Sequence, residues 1–175
     1  MEESNPPDLR ARVVCEQVKA HYSQLPVMTL APCAGGLFAA AVLWNAAPQQ
    51  VLVIGIAAVW LLAGLRLWLY RLYLAASERD KQSRWRWMAV AGALASGCLW
   101  GSAAPLLYPV VAGDHAVFLL VLLTLLPVVP VAALAVYLPA LFAYFLPCTV
   151  PFLLMLALAD TQAERMSAVL LMAMM

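Results

Sequence analysis

Apolar residues run almost without a break from residue 27 to the end of this 175-residue chain, interrupted once by a charged stretch from Arg71 to Arg86. The hydrocarbon core of a bilayer is about 30 Å thick, so a helix needs roughly 20 apolar residues to cross it. By this measure the pattern predicts a six-span helical bundle, with spans at 27–46, 50–70, 87–108, 116–136, 139–159 and 166–175. The sixth span is incomplete, because the residues up to Met175 extend only about 15 Å as a helix. We therefore expect the natural chain to continue beyond Met175.

Residues 1–26 have a different pattern and form the first predicted domain, with the bundle at 27–175 as the second. Asn5 before Pro6 resembles a helix cap followed by a proline in the first turn. Charged and polar residues fall on the other faces of a stripe of helically spaced apolar residues: Ala11, Val14, Cys15, Val18, Tyr22 and Leu25. This predicts an amphipathic cytoplasmic helix on the membrane face or against the bundle. The alternative is a partly ordered tail.

The composition places the chain among membrane proteins. Hydrophobic residues make up 66% and charged residues 11%, against about 45–50% and about 25% in soluble domains. Backbone that faces lipid must satisfy its hydrogen bonds internally, so each span is expected to be helical. The predicted fold class is therefore all-α integral membrane, with the lipid bilayer as the main partner.

The basic residues give the expected orientation. With the N-terminus in the cytoplasm, nine of the ten Lys and Arg residues lie on the inner side and only Arg165 on the outer side. This distribution follows the positive-inside rule. The outer turns are short, so no sizeable outer domain is expected to hold a polar ligand.

Few side chains in the apolar region could carry chemistry. No catalytic motif is visible, and the acidic residues lie in loops or near the ends of spans. The cysteines are scattered without a CxxC pair, and His21 and His115 fall on opposite sides of the membrane. We therefore predict no catalytic residue, metal site or cofactor in this segment. The net charge of +1 gives no general case for nucleic-acid binding.

The third predicted span carries small residues four apart on one face: Ala89, Ala93, Gly97 and Gly101. Small residues allow helix backbones to approach closely, so this face is predicted to pack against another helix. Packing within the bundle is the favoured interpretation. A homodimer through the transmembrane and downstream helices is the alternative.

Prolines are frequent in the later spans, and an interior proline bends its helix and frees a carbonyl group. A bent pair of helices can open a cavity for a small apolar ligand. The residues predicted to line such a cavity are Ser96, Trp100, Tyr144, Cys148 and Pro151. Prolines are also ordinary in membrane helices, so bending without a ligand is the alternative.

Arg66 is the one charged residue clearly inside an apolar span. An intramembrane charge is a functional candidate by default, but this one lies near the predicted inner interface, where its side chain can extend to lipid headgroups. The second interpretation is favoured. The predicted membrane-interface residues are Arg66, Arg71, Trp85 and Trp87.

Several short segments resemble the N-terminal membrane regions of bacterial signalling proteins. They are Tyr22-Ser23-Gln24-Leu25-Pro26, Val42-Leu43-Trp44, the Arg66–Arg71 region, Trp85-Arg86-Trp87, Gly97-Cys98-Leu99-Trp100-Gly101, Phe145-Leu146-Pro147 and Val150-Pro151. In that class, multi-span modules precede GGDEF or EAL cyclic-di-GMP domains or histidine-kinase domains. The resemblance implies a location in the bacterial inner membrane and a sixth span that leads into a cytoplasmic signalling helix.

The resemblance also implies a function. The chain would be the membrane-anchoring and sensory input module of a signal-transduction protein, with its cyclase, phosphodiesterase or kinase domain beyond Met175. The segment itself would not be an enzyme. A transporter or permease subunit is the alternative, although the intramembrane polar groups Ser96, Ser102, Thr124 and Thr149 make a thin pathway.

Overall fold

The computed structural model describes residues 6–76, 84–125, 128 and 130–158, with the side chains of 6–12, 132 and 133 excepted. Every regular element in this part of the chain is helical. The elements are α1 (Pro6–Leu43), α2 (Gln49–Ala75), α3 (Arg84–Gly101), α4 (Ala103–Leu107), a 3-10 turn (Tyr108–Val110), α5 (Asp114–Leu125), α6 (Val131–Leu134) and α7 (Leu138–Leu158).

Two buried clusters mark the two ends of the bundle. The charged end, where α2 ends and α3 begins, contains Val18, Tyr73, Trp85 and Tyr137. The hairpin end, where α1 turns into α2, has its own cluster of residues from every pass: Leu43, Leu52, Ala104, Leu119 and Leu156. The chain therefore runs between the two ends in alternating directions as α1, α2, α3–α4, α5–α6 and α7.

Four of these passes contain helices long and apolar enough to cross a membrane: Val13–Leu43, Gln49–Ala75, Arg84–Val110 and Leu138–Leu158. The all-helical fold is thus confirmed for the described residues, with four helices that could span a membrane. The number of six spans and the orientation stay predictions. The predicted sixth span, 166–175, lies outside the described residues.

The structure describes the predicted span at 116–136 only in part. Its described residues form the 12-residue α5 and the four-residue α6, with turns at Val128 and Pro130 between them. Twelve helical residues extend only about 18 Å. Pro130 lacks an amide hydrogen and cannot donate the bond that would continue the helix. Apolar composition predicted a crossing here, but it did not show the turns at Val128 and Pro130.

The predicted division between residues 26 and 27 falls inside a single helix. α1 continues from Pro6 to Leu43 through Pro26 and Pro32. Within its first half, Val18, Tyr22 and Leu25 are buried at the charged end. The apolar stripe of this segment therefore packs against the bundle, which was one of the two placements that the pattern allowed.

An aromatic cluster joins three helices at the charged end. Tyr22 of α1 stacks on Tyr73 of α2 with ring centroids 4.1 Å apart. Trp85 of α3 meets both rings edge-on, at 5.8 and 5.5 Å. The Tyr22 hydroxyl also donates a hydrogen bond of 3.2 Å to the Trp85 carbonyl oxygen. This cluster fixes the positions of α2 and α3 on either side of residues 77–83.

Candidate functional site

Arg66 lies inside the bundle. Its side chain is 8% exposed, and Nη1 donates a 3.0 Å hydrogen bond to Ser96 Oγ on α3. α2 continues for nine residues beyond Arg66 to Ala75, which is about 14 Å of helix. The sequence placed Arg66 close to the inner interface with its side chain directed toward headgroups, whereas in the structure the guanidinium is directed toward α3. Its membrane-interface role stays a prediction.

Ser96 connects this arginine to the backbone of α3. Its hydroxyl donates a 2.9 Å hydrogen bond to the Gly92 carbonyl oxygen one turn earlier while it accepts from Arg66. The Arg66 side chain lies along Gly92, since a Cβ there would be 3.7 Å from Arg66 Nε. Gly92, which has no side chain, and the Ser96 hydroxyl together position the guanidinium against α3.

A cavity of about 310 Å³ adjoins this pair, between α1, α2, α3, the α5–α6 pass and α7. Its polar wall residues are Thr29, Arg66, Ser96 and Tyr144, and the rest of the wall is apolar. Val27 and Leu125 also line it and are 73% and 57% exposed. The cavity, named here the arginine cavity, therefore reaches from the buried guanidinium to the outer surface of the bundle.

A second cavity of about 370 Å³ lies toward the hairpin end and is lined almost wholly by apolar residues. The two cavities share four wall residues: Val59, Leu99, Trp100 and Leu122. Trp100 packs beside Gly36 of α1 and Val59 of α2, since a Cβ on Gly36 would lie 3.7 Å from Trp100 Cη2. Its indole thus separates a polar-walled space from an apolar one.

The predicted ligand-binding residues are only partly brought together. Ser96, Trp100 and Tyr144 line the arginine cavity. Cys148 is buried one turn after Tyr144, and the two side chains are hydrogen bonded. Pro151 is half-buried farther along α7 and lines neither cavity. Ligand binding itself stays a prediction.

Sequence reasoning did not place Arg66 and Thr29 in this wall. The signal for Arg66 was present, because it is the one charge within an apolar run, but periodicity could not show which neighbour it faces. Thr29 gave no signal beyond its hydroxyl, which donates to the Leu25 carbonyl oxygen at 2.7 Å. Its presence at the cavity depends on how α1 packs against α2.

The small residues of α3 face a different partner. Ala89, Ala93, Gly97 and Gly101 are all buried. A Cβ on Gly97 would overlap the Tyr144 carbonyl oxygen, and one on Gly101 would overlap the Pro147 carbonyl oxygen. At these two glycines, α3 and α7 are in backbone contact. The face therefore packs within the bundle in this structure.

The other predicted interface residues divide between the surface and the interior. Arg71 and Trp87 are exposed, Trp87 to 66%. Trp85 is 6% exposed and belongs to the aromatic cluster. An interface role at the membrane stays a prediction for the set, but the Trp85 ring faces into the bundle.

His21 is the other buried polar side chain of note. It is fully buried, and neither ring nitrogen has a hydrogen-bond partner among the described residues. Buried polar groups in folded proteins are usually paired. His21 lies next to Tyr22, at 5.7 Å between ring centroids, and is close enough to Arg66 for an electrostatic interaction. His21, Arg66 and Ser96 are thus buried polar side chains toward the charged end of the bundle.

Comparison with known proteins adds no assignment to this geometry. No family model, curated protein or solved structure matches the chain. The resemblance to signalling membrane regions therefore stays an expectation from short sequence segments, and the function has to be argued from the arginine cavity.

Proposed function

We propose that this chain is the membrane-anchoring and sensory input module of a bacterial signal-transduction protein. In this proposal a cytoplasmic output domain, either a cyclic-di-GMP enzyme or a histidine kinase, follows Met175. The observation that carries the proposal is the arginine cavity, which lies between helices of different passes and contains a buried cation. A molecule bound there would contact α1, α2, α3, the α5–α6 pass and α7 together.

The position of the cavity supports a sensory role. A ligand shifts a conformational equilibrium only when it binds one arrangement better than another. Arg66 belongs to α2 and its hydrogen-bond partner Ser96 to α3, so a ligand that competes for the guanidinium changes the contact between these helices. The aromatic cluster connects the same two helices to α1 at the charged end. Binding would therefore change the packing of these helices at the charged end, which the proposal places in the cytoplasm.

A transporter or permease subunit remains the alternative, and the two cavities on either side of Trp100 are the observation in its favour. A path through both would cross the bundle from the charged half to the hairpin half. A polar substrate would find few partners beyond Trp100, however, because the second cavity is nearly all apolar. The structure thus gives the sensory proposal stronger support.

The coding sequence after Met175 separates the two functions. The sensory proposal expects a further amphipathic helix followed by a GGDEF, EAL or histidine-kinase domain. Additional apolar spans followed by a stop codon would contradict it and favour the transporter. This test requires only the DNA sequence of the gene, so it does not depend on the behaviour of the purified protein.

The orientation in the proposal is tested with topology reporters in bacterial cells. Green fluorescent protein inserted within 77–83 is expected to fluoresce, and alkaline phosphatase at the same site to stay inactive, because the basic residues there favour the cytoplasm. At Ala112–Gly113, between the 3-10 turn and α5, both readouts are expected to reverse. The same readout at both sites would contradict the orientation.

A further inference from the structure

We propose that the arginine cavity binds an anionic single-chain amphiphile, with a carboxylate on Arg66 and its hydrocarbon tail along the apolar wall. This specifies the cue for the sensory module proposed above and rests on that function for its signalling role. The binding itself is independent of any output domain. It can therefore be measured separately.

Charge is the first argument. Taking a guanidinium out of water is costly unless the charge is paired. Glu16 and Asp114 are the acidic residues whose side chains the structure describes, and both are exposed. Within the described residues, the groups that interact electrostatically with Arg66 are the phenols of Tyr22 and Tyr144 and the imidazole of His21, and none of them is a carboxylate. A bound carboxylate would supply the negative charge that these described neighbours do not.

The polar groups converge at one place. Arg66, Ser96 and Tyr144 come from three different helices and line the same wall. A guanidinium has a planar set of donors that matches the two oxygens of a carboxylate, whereas a lone alcohol can accept only part of that set. The recognised chemistry is therefore a small planar anion rather than a hydroxyl or an amine.

The remaining wall argues for a hydrocarbon tail. Apolar residues such as Leu62, Ala63 and Leu134 make up most of the lining. A volume of about 310 Å³ is at the lower end of the range of ligand pockets, about 300–1,000 Å³. That size suits one acyl chain and is small for a two-chain phospholipid. Exposed Val27 and Leu125 at the wall give such a molecule a route from the bilayer.

The expected selectivity follows from the surroundings. A tail gains little by leaving lipid for an apolar cavity, because both environments are hydrocarbon. The specific contribution must come from the headgroup, and hydrogen bonds to charged groups are about twice as strong as neutral ones. Binding should therefore depend on the carboxylate and on Arg66 more than on tail length.

The test is quenching of tryptophan fluorescence in protein reconstituted in phosphatidylcholine nanodiscs. The probe is decanoate with bromine at the end of its tail, and the matched neutral probe is the corresponding bromodecanol. Bromodecanoate is expected to give a saturable component of quenching. Trp100→Phe should remove this component, because Trp100 lines the cavity. Bromodecanol is expected to give only the linear quenching of a molecule dissolved in lipid. Equal saturable quenching by both probes would overturn recognition of the anion.

Arg66→Met is expected to weaken decanoate binding by about tenfold to a hundredfold, which is the loss of one charged hydrogen-bonding partner. Arg71→Met is the matched control, since Arg71 is exposed on the same helix and its loss changes the net charge equally. An equal loss in both variants would assign the effect to surface charge and contradict the site. If Arg66→Met fails to fold, the comparison of bromodecanoate with bromodecanol on the unmodified chain still tests whether the cavity recognises the anion.

Phosphatidate, a two-chain anionic lipid, distinguishes the two sources of an anion in the bilayer. The proposal expects it to displace bromodecanoate poorly, because a second chain exceeds the cavity. Displacement as efficient as that by unlabelled decanoate would overturn the single-chain assignment. In full-length protein, saturable binding without any change in output activity would reject the sensory function while the binding site stands.

Discussion

The two neighbouring faces of α3 differ in how they meet the rest of the bundle. Toward α7, Gly97 and Gly101 bring the backbones of the two helices into contact. Toward α2, Ser96 and Trp100 line a cavity, and the nearest charged group is Arg66. One helix thus has a closely packed seam and, about 100° away around its axis, a space large enough for a ligand.

The difference shows how one bundle can hold its fold and still respond to a ligand. A seam without free volume has few alternative arrangements, because interiors are packed to high density. Around a cavity with a buried cation, fewer packing contacts between helices have to break when a ligand enters. We infer that α3 and α7 form the fixed part of the bundle, and that α2 is the helix whose contact with α3 can change.

The largest effect is expected at the seam. In Gly101→Ala the new methyl group would overlap the Pro147 carbonyl oxygen, which is backbone and cannot rotate away. We expect a loss of about 3 kcal/mol of unfolding free energy, at the upper end of the usual cost of overpacking. Thermal or denaturant unfolding in detergent, followed by circular dichroism, measures it.

Gly64→Ala is the control for that prediction. Gly64 lies in α2, and a Cβ there would meet nothing within 4 Å. Alanine is the better helix former by about 0.5–1 kcal/mol, so this variant is expected to be as stable as the parent or slightly more stable. Equal destabilisation of the two variants would remove the contrast between seam and open face.

A smaller effect is expected on the open face. Ser96→Ala removes the acceptor of the Arg66 hydrogen bond and leaves a buried guanidinium with less support. We expect a loss of about 1–2 kcal/mol, the usual cost of depriving a buried donor of its partner. Ser102→Ala is the control, because its hydroxyl donates to the local Leu99 carbonyl oxygen, and its effect should be within about 0.5 kcal/mol. Equal losses would indicate that Ser96 does not support Arg66.

The smallest effect on the free energy of unfolding is expected at the aromatic cluster, at the charged end of the bundle. Tyr22→Phe removes the hydrogen bond to the Trp85 carbonyl oxygen but keeps the ring that stacks on Tyr73. We expect a loss of about 0.5–1 kcal/mol, measured in the same unfolding assay. Tyr70→Phe, a change of the same kind outside the aromatic cluster, is the control. A loss above that of Ser96→Ala would show that this contact, rather than the Arg66–Ser96 pair, dominates between α1, α2 and α3.

Much of the architecture could be predicted because a helix that crosses a membrane requires a long apolar run. The helices at Gln49–Ala75 and Leu138–Leu158 lie within a few residues of the predicted 50–70 and 139–159. The turns at Val128 and Pro130 were not predicted, although Pro127 and Pro130 are visible in the sequence. Pro26, Pro32, Pro147 and Pro151 lie inside continuous helices, so a proline alone does not indicate where a membrane helix breaks.

Residue types and their order were enough to indicate that this chain is helical, rich enough in apolar residues for a membrane, and poor in reactive groups. They also showed the small-residue face of α3 and the isolated charge at Arg66, because both depend only on residue type and helical spacing. Tertiary structure decided which helices meet: Gly97 and Gly101 contact α7, and Arg66 turns to Ser96 instead of toward the surface. Spacing along a helix fixes which residues share a face, but the neighbour of that face is set by packing between distant parts of the chain.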